Sequence, residues 1–73
     1  MTELRFHRDL YLGESVDEAV RVFEGHAAFE LEEGESHWIV RVTAGDAAFE
    51  RTVAGELGNY ALGLTVKNRG TEG

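Results

Sequence analysis

Metal binding, proton transfer and nucleophilic attack each need particular side chains brought together, and this chain offers few of them. Its histidines are His7, His26 and His37. A histidine metal site draws on three or four converging ligands, at spacings such as His-x-x-x-His on a helix or His-x-His on a strand. Neither spacing occurs. His7 and His37 fall on the less apolar parity of two separate alternating runs, so they approach each other if those runs pair. A structural or surface role is expected for all three, and no metal.

Glu30, Glu32, Glu33 and Glu35 cluster around one turn. Like charges packed together make a poor place to bury a general acid, whereas a solvated acidic edge discourages strand-to-strand aggregation. The Asp-x-Asp-x-Asp-Gly order of a calcium loop is absent. Ser15 has no histidine nearby in sequence to activate it as a nucleophile. Gly55-x-x-Gly58 lacks the third glycine of a dinucleotide fingerprint and the Lys-Ser/Thr of a phosphate loop. The expectation is a protein that is not an enzyme and carries no cofactor. Contact residues remain. Tyr11, Ile39, Asn59 and Tyr60 are the amphipathic, surplus-apolar or poorly helix-forming positions best suited to touching a partner. Ile39 lies on the parity expected to face solvent, and Asn59 is a weak helix former whose amide suits a specific bond. Tyr11 and Ile39, exposed together with the turn after Thr43, would form a contact patch.

These residues must be held by ordinary elements. Residues 4–12 alternate, with Leu4, Phe6, Leu10 and Leu12 on one parity and Arg8 as the exception, which reads as a half-buried strand ending at Gly13. Ser15 and Glu18 then form a capping box ahead of Val16, Ala19, Val20 and Phe23, the stripe of an amphipathic helix stopped by Gly25. Ala27, Phe29 and Leu31 begin a second strand, and Trp38, Val40 and Val42 line a third. The turn between them contains Gly34, which can take the positive φ of a tight hairpin.

Residues 47–54 admit two readings. Phe49, Arg51 and Val53 alternate as a short fourth strand; alternatively Asp46 caps one long helix with Phe49, Val53, Leu57, Tyr60 and Leu64 along it. The strand is favoured, because Thr52-Val53 prefers a sheet and Gly55 with Gly58 would burden the middle of a helix. A final helix from Gly55 follows, with Leu57, Tyr60, Ala61 and Leu64 as its stripe. Glu56 lies in its first turn, Lys67 and Arg69 in its last, and Gly70 where a cap is expected. Each interior glycine costs roughly 1 kcal/mol relative to alanine, so Gly58 and Gly63 are read as points of close approach. Residues 71–73 read as a frayed tail.

The resulting order, β-α-β-β-(β)-α, describes a single small α+β domain over residues 1–73. It is a two-layer sandwich in which a mainly antiparallel sheet of three to four strands carries both helices on one face. If the first two strands are adjacent and parallel, their crossover should be right-handed. Seventy-three residues without cysteine leave a small core; a domain of this size buries only about 60% of its unfolded surface. Homodimer formation is one remaining route to more buried area. A net charge of −7, with no run of Lys or Arg, repels a phosphate backbone and argues against nucleic acid as a partner. No apolar run approaches the roughly 20 residues of a membrane span, and the first residues lack a signal-peptide core. A cytoplasmic protein with no membrane partner is expected.

The run FHRDLYLGESVDEAVRVFEGHAAFELEEGESHWIVRVT, followed by GELGNYALGLTVKNR, resembles the small D proteins of the His-Xaa-Ser peptide-maturation system. Tyr11, Ala19 and Phe23 match that family's opening strand and helix. Glu56, Leu57, Asn59 and Leu62 match the pattern that opens its last helix. This chain departs by carrying Gly58 and Gly63 there and by ending soon after Arg69. The resemblance implies an accessory protein encoded beside radical-SAM enzymes, itself non-catalytic, that assists modification of a ribosomally made peptide. It would hold the peptide or an enzyme partner, at a sheet edge by strand addition or in a groove beside the final helix.

Overall fold

Alternation of apolar and charged residues sets three strands into one antiparallel sheet. The structure, a computed structural model, describes residues 1–70; residues 71–73, expected to form a frayed tail, lie outside them. The strands are β1 (Thr2–His7), β2 (Ala28–Glu33) and β3 (His37–Thr43), and the helices are α1 (Gly13–Phe23) and α2 (Ala47–Gly70). β3 lies between the other two. It pairs Leu4 with Val40 and Phe6 with Trp38 on one side, and Phe29 with Val42 and Leu31 with Val40 on the other. β1 and β2 are therefore not neighbours, and the condition for an adjacent parallel crossover does not arise.

Both helices cover one face of the sheet, as the alternation requires of its apolar parity. Phe6, Val40 and Val42 from the strands meet Val16, Ala19 and Val20 of α1 and Val53, Leu57 and Ala61 of α2. The expected two-layer α+β sandwich is the observed architecture, with three strands.

Residues 47–54 are the main correction. They form the first turns of a 24-residue helix and contribute no fourth strand. Asp46 accepts from the Phe49 amide at 2.9 Å through Oδ2, an N-cap that fixes where the helix starts. Val53 and Ala54 are buried, so tertiary burial outweighs the strand preference of Thr52-Val53. The Thr52 hydroxyl donates back to the Ala48 carbonyl at 3.1 Å, a bond that lets threonine sit within a helix. Gly58 and Gly63 are not close-approach points: a Cβ built on either, or on Gly55, meets nothing within 4 Å.

Two boundaries also differ. β1 stops at His7, because the Leu10 and Tyr11 amides both donate to the His7 carbonyl, at 3.0 and 2.9 Å, and turn the chain. Leu10, counted above on the core parity, is 62% exposed. α1 begins two residues before Ser15, with Leu12 as an N-cap that makes no side-chain bond. Ser15 is instead buried inside the helix, where its Oγ accepts from Asn68 Nδ2 at 2.8 Å. The capping box is thus replaced by a tie between the two helices. Among the described residues no glycine has positive φ. Gly34 is needed because a Cβ there would stand 2.9 Å from the His37 carbonyl oxygen. Among the described glycines the closest approach is at Gly13, whose added Cβ would lie 2.6 Å from the Trp38 ring.

Arg8, the exception in the first alternating run, stacks its guanidinium 4.4 Å from the Trp38 ring centroid. Its Nη1 donates to the Gly34 carbonyl at 2.8 Å. A cation can hold an apolar parity there because the indole face attracts it while its charged end stays wet.

Candidate binding edge and groove

The sheet leaves one face free of helices, and its register makes that face a grid of charge. Arg41 sits between Glu3 of β1 and Glu30 of β2. Its Nη1 donates to Glu32 Oε1 at 3.0 Å, and its Nε lies 3.5 Å from Glu3. The Glu32 hydrogen bond chiefly, with the nearby carboxylates of Glu32, Glu3 and Glu30, raises the Arg41 pKa against the opposing pull of desolvation. Ile39 lies in the same grid, half-buried between Arg5 and Glu32 of the flanking strands.

At one end of this face His7 and His37 pair directly, with ring centroids 4.9 Å apart in an edge-to-face contact. The Asp9 amide donates to His7 Nδ1 at 3.2 Å, which places the proton of the neutral ring on Nε2. A metal-bound imidazole has the opposite arrangement, its second nitrogen donating outward. His37 Nδ1 is engaged by Ser36 Oγ at 2.7 Å. Among the described residues no group of three or more His, Asp or Glu side chains converges as a metal site would. His26 lies apart, in the turn after α1, tilted against Phe23.

The opposite layer holds the buried polar groups. Glu50 is buried where α2 begins. It accepts from Thr2 Oγ1 at 2.7 Å and from the Ala44 amide at 3.1 Å, and lies 3.3 Å from the chain's amino terminus. The Thr2 bond first, then the Ala44 bond, hold its pKa below the usual carboxylate value. Thr65, equally buried, accepts from the Leu12 amide at 3.4 Å. With the Ser15–Asn68 bond, these contacts satisfy the buried side-chain polar atoms; none among the described residues is left without a partner. They are structural ties.

The four expected contact residues do not form one patch. Tyr11 packs edge-to-face on Phe6, ring centroids 4.9 Å apart, and its carbonyl accepts from Trp38 Nε1 at 3.2 Å. That places it on the helix side of the sheet, opposite Ile39. Tyr60 is 39% exposed and rests against Phe23 at 5.9 Å. Asn59 is exposed. By helical spacing it shares the outward face of α2 with Gly55, Leu62 and Val66. Its side-chain amide has no hydrogen-bond partner among the described residues.

The two kinds of surface that the resemblance implies, a groove beside the final helix and a sheet edge, are better placed for contact, though the sequence assigned neither its lining residues. The first is a groove of about 230 Å³ lined by Phe23, His26, Phe49, Thr52, Val53 and Glu56. It exists because α2 is 24 residues long and α1 only 11, so the first turns of α2 run on with no helical neighbour. Phe49 is 44% exposed there. The long-helix reading set Phe49 on the apolar stripe with Val53 and Leu57, and the structure leaves it partly open instead. The second feature is β2. It is an outer strand, and all its residues except half-buried Phe29 are exposed. Leu31 points to the apolar side of the sheet yet is 41% exposed. No helix of the described residues is long and apolar enough to cross a membrane. Comparison of the chain with protein-family models, with curated proteins and with solved structures finds no match.

Proposed function

We propose that this chain is a small non-catalytic binding module that holds a peptide or protein segment along β2, acting in the cytoplasm. The observation that carries this reading is the bare β2 edge, an outer strand whose core-side Leu31 is 41% exposed. An outer strand has main-chain groups with no neighbour, and an extended segment can satisfy them by strand addition. The groove beside α2 offers a separate apolar recess for one large side chain, the kind of anchor that dominates binding energy.

The narrower role rests on the resemblance to the small D proteins of the His-Xaa-Ser system. In that role the chain would hold a precursor peptide, or a radical-SAM enzyme acting on it, while modification proceeds. A genomic neighbourhood containing a radical-SAM gene and a precursor with repeated His-x-Ser would support it. Titration of the purified protein against those neighbouring products tests it directly. Saturable binding to at least one is expected, and binding to none removes the narrower role.

A second reading is favoured by a different surface. Leu62 and Val66 on the outward face of α2 are 47% and 63% exposed, beside glycines that open space surrounds. A self-associating structural or regulatory module would use that face. Sedimentation showing a strict monomer at high concentration would eliminate this reading.

A further inference from the structure

We infer that the segment received at the β2 edge is extended and alternates apolar residues with Lys or Arg. This rests on the binding-module reading and names the chemistry of its ligand. The main chain sets the positions. The Gly34 amide donates to the His37 carbonyl at 2.9 Å, and the regular β2–β3 register continues that pairing along the hairpin. Antiparallel ladders alternate, so Glu30 and Glu32 turn their main-chain groups towards β3. Phe29, Leu31 and Glu33 turn theirs to the open edge.

Side chains then specify what can lie there. Phe29 and Leu31 stand on the helix side, opposite Val42 and Val40. A strand added beside them extends that apolar layer and covers Leu31. Glu30 and Glu32 stand on the helix-free side, both exposed. The cation they have is Arg41, which also serves Glu3; Glu3 has a second, closer cation in Arg5, at 3.1 Å. Two guanidiniums therefore face the three carboxylates Glu3, Glu30 and Glu32, and the edge, across β3 from Arg5, is left with a negative surplus. Cations at the two facing positions of an added strand complete it, with apolar residues between them. A second copy of this chain is the wrong occupant. β2 against β2 sets glutamates opposite glutamates, and like charges directly opposite destabilise a strand pair.

The experiment titrates the full chain with eight-residue synthetic peptides and reads binding by calorimetry at low and moderate salt. The probes are alternating valine–lysine, alternating valine–glutamate, four valines followed by four lysines, and alternating valine–lysine N-methylated at every residue, which leaves no N–H on either edge. The first is expected to bind, more weakly as salt rises, and the other three to bind at least about tenfold more weakly. A Glu30→Lys, Glu32→Lys variant, checked for folding by circular dichroism, should lose about tenfold towards the lysine peptide and gain towards the glutamate peptide. Equal binding of the block or N-methylated peptide would overturn the inference, since neither can add as an alternating strand. Indifference to the charge reversal would overturn it as well. If no probe binds while a protein partner does, the inference fails and the binding-module reading stands; if neither binds, both fail.

Discussion

β1 and β2 are the two edges of one sheet, each six residues long and each alternating in the same way. Their circumstances differ. β1 is tied down: Thr2 hydrogen-bonds to Glu50 at the head of α2, the amino terminus reaches the same carboxylate, and Phe6 is 4% exposed beneath the helices. β2 touches β3 and little else, and its apolar Leu31 looks outward. The difference follows from helix placement. The long helix packs along β1, and α1 ends after only 11 residues, which leaves the far side of the sheet uncovered. Edge strands with equal sequence patterns can thus have opposite roles, one closing the core and one offering an unfilled surface.

The comparison is tested most severely on the covered side. Leu57 is fully buried between α2 and the sheet. Leu57→Ala should cost about 2–5 kcal/mol, the range for a buried leucine truncated where the site relaxes only in part. Urea unfolding followed by circular dichroism measures it. A loss below about 1 kcal/mol would mean the covered side is no better packed than the bare one.

Glu50 should show the next effect, with a signature in pH. Its carboxylate is held below the ordinary value of 4.5 by the Thr2 and Ala44 hydrogen bonds. A depressed carboxylate adds stability that is complete above the unfolded-state pKa and disappears as pH falls through the lower folded-state value. Glu50→Gln should therefore be less stable than the native chain at neutral pH. The gap should narrow from about pH 4.5 downward. Thermal unfolding of both proteins at several pH values reads this. A gap that does not change with pH would show that the charge contributes nothing to anchoring β1.

How much of this was legible in the sequence depends on whether a residue acts locally or across the fold. The alternation of Trp38, Val40 and Val42 and the stripe of Val16, Ala19 and Val20 carry their own burial pattern, and the structure buries them accordingly. The long helix was not read that way, because propensity counts Gly55, Gly58 and Thr52-Val53 against it. The countervailing terms are the Asp46 cap, the burial of Val53 and Ala54 and the Glu50 anchor to Thr2, and two of these exist only after folding. Ser15 misled for the same reason. A serine three residues before a glutamate looks like a cap, yet its partner is Asn68, 53 residues away. Of the proposed contact surfaces, the acidic character of β2 was visible, but the exposure of Leu31 was not, since Leu4 on β1 sits in the same pattern.

A smaller effect of opposite sign is expected from the outward face of α2. A Cβ on Gly58 meets nothing within 4 Å, and alanine is favoured over glycine within a helix by roughly 1 kcal/mol. Gly58→Ala should raise the unfolding free energy by about that much, read from urea unfolding. A destabilisation would show that something packs on this face in solution, and would move weight towards self-association.

The smallest effect on stability belongs to the bare edge, and its smallness is informative. Leu31 already leaves 41% of its surface in water and is covered by no helix. Leu31→Thr introduces a β-branched residue that suits a strand and removes apolar surface that the fold uses only in part. The change in unfolding free energy should stay within about 0.5 kcal/mol, as for ordinary surface substitutions. The same change should weaken any segment lying along β2, because that segment would be what covers Leu31. Parallel measurements of stability and peptide affinity separate the two roles. A loss of stability comparable to Leu57→Ala would make Leu31 a core residue and the β2 edge an ordinary part of the fold. Unchanged stability with weakened binding would leave burial by a partner as the reason for an apolar residue at this position.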